Sequence, residues 1–441
     1  MYQKHYVQGE ILIKQKPYNL LDVEALSVKK GIFDIKSDCY AENGVPFVRI
    51  SNLKNMITED DDIIYIPESE HRSNPETALR RNDLILSKTA YPAASLVTFD
   101  ECNTSQDTIA IKLKQSAKVG SPYLVAFFNT SYGFNQMKRW FTGNIQMHLN
   151  LADSKNFLIP LLTWGFQLHI KDLFDKAFDK LEQSKALYAE AESLLLNELG
   201  LKDWQPPIDL SYEYKASQVF AVGRLDSEFF HPKYEWLETS LRGKFPVEHI
   251  GSWGKVLKGV SVEYTGSDEG VKIIRSGDLS DIEDDKKFLR ASLNQKMFLL
   301  ERGDVLISSI GFGSIGKIQI YDKAGKYGTV SEVTVIRQKR VNPYYLHFFL
   351  ACPAGQMQID HYITGATGQL HLYPKDVEHI TVPIVSKGFE TKLESLFKES
   401  RQLKKQAQLF LEIAKRGVEM AIERDEAEAL AWMESAARDE S

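Results

Sequence analysis

The chain has 441 residues, 43% of them hydrophobic and 26% charged, with a formal net charge of −6. That composition predicts two to four soluble globular domains, each large enough for its own core. It argues against a membrane span, because no apolar run approaches roughly 18 residues, and against a disulfide framework or zinc knuckle, because Cys39, Cys102 and Cys352 lie far apart with no C-x-x-C pair. The start, Met1-Tyr2-Gln3-Lys4-His5, lacks a signal-peptide pattern, so a cytoplasmic protein is expected. Seven acids between 422 and 441 against Arg424 and Arg438 contribute −5, which leaves about −1 for residues 1–421. That balance neither demands nucleic acid nor excludes it.

From the N-terminus, short apolar runs at Ile63–Ile66, Leu84–Leu86 and Ile109–Leu113 are separated by Gly, Asn, Asp and Pro, the pattern of strands joined by turns. Ser121-Pro122 opens a short helix, since proline's missing N–H costs nothing in a first turn. Ile170, Phe174, Ala177, Leu181, Ser184, Tyr188, Ala191 and Leu195 then alternate steps of four and three, the seam of a long helix that Gly200 ends before Pro206.

The second half repeats the first. Gly44-Val45-Pro46-Phe47-Val48-Arg49-Ile50 returns as Gly270-Val271-Lys272-Ile273-Ile274-Arg275-Ser276, and Arg81–Ser87 returns as Arg302–Ser308. Pro122-Tyr123 returns as Pro343-Tyr344, Gly143 as Gly365, His148 as His371, Pro160 as Pro383 and Phe174 as Phe397. Strand runs recur at Val305–Ile310, Lys317–Tyr321 and Val333–Arg337. A second seam follows at Leu393, Leu396, Ser400, Leu403, Ala407, Phe410, Ala414 and Ala421. A period above 200 residues is too long for a solenoid and marks a duplicated domain with its connecting helix. The fold class expected is α+β: two β-rich domains in tandem repeat, each followed by a long helix, the two helices pairing as an antiparallel coiled coil. Two independent surface helices are the alternative. The boundaries expected are 1–160 and 203–388 for the domains, 161–202 and 389–422 for the helices, and 423–441 for an acidic tail. Helices of some 35 residues would each be about 50 Å long, a spacing of roughly 15 base pairs of duplex.

Three phrases look like enzyme motifs. Gly311-Phe312-Gly313-Ser314-Ile315-Gly316 spells G-x-G-x-x-G, but a dinucleotide site needs a helix next, whereas Lys317-Ile318-Gln319-Ile320-Tyr321 reads as a strand. Asn342-Pro343-Tyr344-Tyr345 approaches the Asn-Pro-Pro-Tyr motif of adenine methyltransferases without its second proline, and no glycine-rich S-adenosylmethionine loop precedes it. The histidines form no metal pattern: His148 and His371 recur, while His361 has no counterpart.

The order of these phrases, twice over, resembles the specificity (S) subunit of type I restriction–modification enzymes. The resemblance rests on Val48-Arg49-Ile50-Ser51-Asn52-Leu53 and Ile274-Arg275-Ser276-Gly277-Asp278-Leu279, with Gly303–Ser308 downstream. It rests also on Thr364–Gln369 leading to Ile380–Pro383, on Thr142-Gly143-Asn144 leading to Leu158–Pro160, and on the opening Arg224-Leu225-Asp226-Ser227-Glu228-Phe229-Phe230-His231-Pro232. Residues 2–27 depart from that opening. The resemblance implies two target-recognition domains, each reading one half of a split, asymmetric double-stranded DNA site, and no catalysis by this chain. It implies no cofactor on this chain: S-adenosylmethionine, ATP and Mg belong to partners, two methyltransferase (M) and two restriction/translocase (R) subunits. The alternatives are the reader of another methylation-based phage-defence system, a stand-alone S-adenosylmethionine-dependent enzyme, and a coiled-coil scaffold.

Readers are expected on loops and strand edges that differ between the copies, because base edges carry the sequence and phosphates only position the protein. In the first domain these are Lys88, Tyr91, Arg139, Asn144, Gln146 and His148. In the second they are Ser309, Ser314, Lys317, Thr367, Gln369 and His371. Arg49 and Arg275 recur and suit shared phosphate or scaffold contacts as well as base contacts.

Overall fold

The computed structural model describes residues 4–438, apart from 34, 36–38, 55, 61, 144–146, 207–209, 267–268, 281, 283–287, 294–295, 312 and 366–369. The chain divides into two compact units: residues 1–183 with 402–441, and residues 184–401.

The first unit opens with the helix Lys4–Lys14, which the sequence does not announce. The reason is that Ile13 is buried while Val7 and Ile11 are exposed, so no apolar stripe marks it. Its main sheet sets Ala25–Lys30, Thr108–Leu113, Leu84–Ser87 and Ala94–Leu96 side by side and antiparallel. A second sheet pairs Val45–Val48 in parallel with Glu101–Thr104. Helices Ser121–Asn129 and Ser131–Trp140 cover the main sheet, with Leu124, Phe127 and Phe128 buried in one core with Leu84, Leu86, Ile109 and Ile111. A fully buried side chain of this kind contributes about 1.5–3 kcal/mol.

The second unit repeats this ladder. Gly254–Lys258, Val333–Gln338, Asp304–Ser308 and Ile318–Tyr321 form the antiparallel sheet. Val271–Ile274 runs parallel to Tyr327–Thr329. Helices Pro343–Ala351 and Pro353–Tyr362 take the covering place. Side-chain bonds recur as well. The Tyr123 hydroxyl donates to the Pro160 carbonyl (2.7 Å), and that of Tyr345 to Pro383 (2.6 Å). Gln136 exchanges two bonds with the main chain of Leu158, and Gln358 with that of Thr381. A Cβ on Gly133 would meet the Phe127 carbonyl oxygen at 2.3 Å, and one on Gly355 the Phe349 oxygen at 2.1 Å, so both turns require glycine. These bonds set Tyr123 opposite Tyr345, one residue beyond the Tyr123–Tyr344 match suggested by the sequence. The cause is local: Asn342 caps its helix through Tyr344 N–H, so that helix begins on Pro343, where the first begins on Ser121.

The long helices are Trp164–Leu199 and Lys387–Glu423, close to the expected limits. In the first unit, Ile170, Phe174 and Ala177 share a core with Ala407, Phe410, Ala414 and Ala421. In the second, Ala191 and Leu195 share one with Leu393 and Phe397. There the Ser184 hydroxyl donates to the Ser400 carbonyl (2.8 Å) and the Ser400 hydroxyl to that of Ser184 (2.9 Å). The two helices therefore pair through their seams. The acidic segment is not a loose tail: Glu426–Arg438 is a helix that buries Ala429 and Met433. Its Glu426 carboxylate accepts from the Thr163 N–H (3.0 Å) and hydroxyl at the start of the first long helix, where a negative charge suits the helix dipole.

Candidate nucleic-acid interface

The strand Leu84–Ser87 leaves its sheet at Lys88. The Lys88 N–H donates to the Asp107 carbonyl (2.7 Å) and its carbonyl accepts from Leu149 N–H (2.8 Å). The Ala90 N–H donates to Met147 (3.2 Å), and Thr89 bridges His148. Lys88, Tyr91 and His148 thus converge on one loop cluster. Tyr91 is exposed, with its hydroxyl 3.4 Å from the Ile50 carbonyl. Lys88 is half-buried, and its ammonium pKa is lowered, first by that burial and then by the positive charge of Lys30, with Asp107 opposing. His148 Nδ1 is buried without a hydrogen-bond partner among the described residues, a cost that a bound donor or acceptor would relieve.

The second unit builds the same cluster with other side chains. The Ser309 N–H donates to the Glu332 carbonyl (2.8 Å), and the Ser309 carbonyl accepts from Leu372 N–H (2.9 Å). The Gly311 N–H donates to Leu370 (3.2 Å), and Ile310 bridges His371. Lys88 therefore stands opposite Ser309, Asp107 opposite Glu332, and His148 opposite His371. Ser309 is fully buried and its hydroxyl also donates to Glu332 (3.1 Å). The His371 ring stacks on exposed Tyr373, centroids 5.9 Å apart and 12° from parallel. Gly311, Gly313 and Gly316 all have positive φ, in a tight turn that the Ser314 hydroxyl closes onto the Ile310 carbonyl (3.1 Å). Lys317 is half-buried, and the strand Ile318–Tyr321 follows it, so G-x-G-x-x-G is a turn between strands.

The remaining expected readers are placed differently. The Arg49 guanidinium donates to the Asp62 carbonyl (2.6 Å). Arg275 donates through Nε and Nη2 to the Asp278 carboxylate (both 3.1 Å), and that partner holds its pKa above the usual value. Arg139 is ion-paired with Glu10 of the first helix (2.7 Å). Asn144, Gln146, Thr367 and Gln369 lie outside the described residues. In Asn342-Pro343-Tyr344-Tyr345 both tyrosines are buried in the core, so the phrase is a helix start.

Sequence reasoning missed Lys30 and Lys258. Each ends the edge strand of its sheet: Lys30 opposite Ile109, and Lys258 opposite Thr334. Lys30 Nζ lies 4.4 Å from the ring centroid of Phe33, itself 70% exposed, and Lys258 Nζ lies 5.5 Å from that of Tyr373. The signal was present in the repeat, as Val28-Lys29-Lys30-Gly31-Ile32 against Val256-Leu257-Lys258-Gly259-Val260.

Cations and exposed aromatic rings beside differing polar loops are what base reading with phosphate positioning needs. Residues 264–395 match the family described as the type I restriction modification DNA specificity domain. Among solved structures, the chain is similar to a type I restriction–modification S subunit from M. genitalium, with 12% identity, 96% of this chain and 95% of that one covered, and a TM-score of 0.37. It is also similar to an HsdS subunit from Thermoanaerobacter tengcongensis, with 13% identity, 93% and 97% covered, and a TM-score of 0.31. A third, from work on complex assembly and conformational transition of the type I R-M system, has 14% identity, 93% and 98% covered, and a TM-score of 0.30. No curated protein matches the chain. Residues 264–395 thus match a type I restriction modification DNA specificity domain, and the strands, bonds and loop cluster of that second unit recur in the first.

Proposed function

We propose that the two domains, 1–160 and 203–388, read the two unlike halves of a split, asymmetric DNA sequence, each through its own loop cluster. The observation that supports this is the pair of clusters built on one set of main-chain bonds with different side chains, Lys88 in one and Ser309 in the other. Tyr91, His148, Ser314, Lys317 and His371 flank the base edges, joined by Asn144, Gln146, Thr367 and Gln369. Arg49, Arg139 and Arg275 hold the scaffold. The long helices, 161–202 and 389–422, form an antiparallel coiled coil on which two M subunits dock, and two R subunits complete the complex in the cytoplasm. The adenine-methylating site, with S-adenosylmethionine, and the ATP- and Mg-dependent cleavage reside on those partners.

The test is co-expression with the neighbouring methyltransferase gene, followed by single-molecule sequencing of methylated adenines in host DNA. A split motif with one modified adenine on each strand is expected. A continuous motif would sink the two-reader proposal. Absence of both methylation and a complex would move the chain to another defence system.

A further inference from the structure

Lys30 and Lys258 occupy the same place in the two units although their neighbours differ. The glycine after each fixes that place. A Cβ on Gly31 would meet the Ser105 carbonyl oxygen at 2.1 Å, and one on Gly259 the Val330 oxygen at 2.0 Å. The edge strand is thus pressed against its neighbouring loop, and Gly31 N–H donates to Thr108 as Gly259 N–H does to Val333. Neither ammonium is in an ion pair among the described residues, and each lies against an exposed aromatic ring. The recurring arginines cannot serve the same end without breaking internal bonds, since Arg275 is held by Asp278 and Arg49 by the Asp62 carbonyl.

We infer that Lys30 and Lys258 are a matched pair of sequence-independent DNA-backbone clamps, one per domain, each neutralising a phosphate beside the loop cluster that reads bases. The assignment rests on the proposed DNA-reading function and adds a division of labour to it: a cation that recurs at one strand end of both units, and readers that differ between the units on the adjoining loops. The proximity of Lys30 to Lys88 supports it: after burial, the Lys30 charge is the next cause that lowers the Lys88 pKa, opposed only by Asp107, and a phosphate would relieve that repulsion.

The experiment uses the full chain in complex with its methyltransferase subunits. Binding to a random-sequence duplex and to a duplex carrying the methylated motif is titrated between about 50 and 200 mM salt. Lys30→Ala and Lys258→Ala should each weaken both duplexes by the same factor, about five-fold near physiological salt, and lower the slope of log K against log salt by about 0.9. The double variant should lose about twice that slope. Lys30→Arg and Lys258→Arg should restore it, which separates lost charge from misfolding. An unchanged slope overturns the inference, as does a loss confined to the cognate duplex, which would make these lysines base readers. If the unmutated complex binds no duplex, the DNA-reading proposal itself fails, a result distinct from either.

Discussion

Within each domain, the helix side and the loop side diverge in different ways. On the helix side both bonds and side chains recur: Tyr123 and Tyr345 donate to matching prolines, Gln136 and Gln358 make the same pair of bonds, and Gly133 and Gly355 permit the same close turn. On the loop side the main-chain bonds recur and His148 matches His371, but other side chains differ, with Lys88 against Ser309, Thr89 against Ile310 and Asp107 against Glu332. Backbone groups carry the loop geometry, so side chains there are free to change without cost to the fold. A scaffold of this kind accepts a new reading surface without a new core.

Exchanging residues 206–388 for another such domain is the strongest way to break that comparison. One half of the methylated motif should change completely and the other not at all, as read by methylome sequencing. A change in both halves would refute independent reading.

Acid separates the two units next. Burial pushes His347 and His361, both in the second unit, down to about 4, while Val125 and Arg139 stand in their places in the first. Unfolded histidine titrates near 6.5. Between about 6.5 and 4 the unfolded second unit therefore binds more protons than the folded one, and its stability is full above that window and falls as pH is lowered through it. Hydrogen exchange corrected for intrinsic rate should show earlier loss of protection in residues 184–401 than in 1–183. Equal loss would contradict the assignment of neutral histidines at these two positions.

Lys88→Ser places the second domain's side chain in the first domain's cluster. It should relax discrimination at one position of one half-site by about 1–3 kcal/mol, the worth of a good base contact, measured by competition among single-base variants of the motif. Loss of discrimination in both half-sites would argue against separate clusters. The last test sharpens the helix-side equivalence. Tyr123→Phe and Tyr345→Phe each leave a buried carbonyl without its donor and should cost about 1–3 kcal/mol apiece, seen as similar falls in unfolding midpoint. A cost at only one tyrosine would end the equivalence.

Much of this plan was legible in the sequence because it depends on period. Residues spaced by three and four gave both long helices to within a few positions, and the recurrence of Arg81–Ser87 as Arg302–Ser308 gave the duplicated sheet. The cluster of Lys88, Tyr91 and His148 was legible for the same reason, since His148 recurs at His371. What escaped lacks a pattern or depends on distant partners. The first helix shows no stripe, and the acidic segment folds because Ala429 and Met433 meet apolar side chains that charge counting ignores. Arg139 looked available as a reader because its partner, Glu10, lies 129 residues away in the chain. Lys30 and Lys258 were hidden by shortness: a five-residue phrase with three matched positions gains meaning only when strand pairing aligns it.

The first unit is completed by residues 402–441 and so is discontinuous in the chain. Ribosomes add roughly 5–20 residues per second, so Phe410 and Ala421 emerge on the order of 10–50 s after Ile170 and Phe174, whose strip they cover. For that interval the N-terminal domain is complete in its sheets yet open along its helix. A stop codon anywhere in the second domain therefore does more than remove that domain: it releases the first with a sticky seam. The order of synthesis is, for this chain, a constraint on which fragments of it remain soluble.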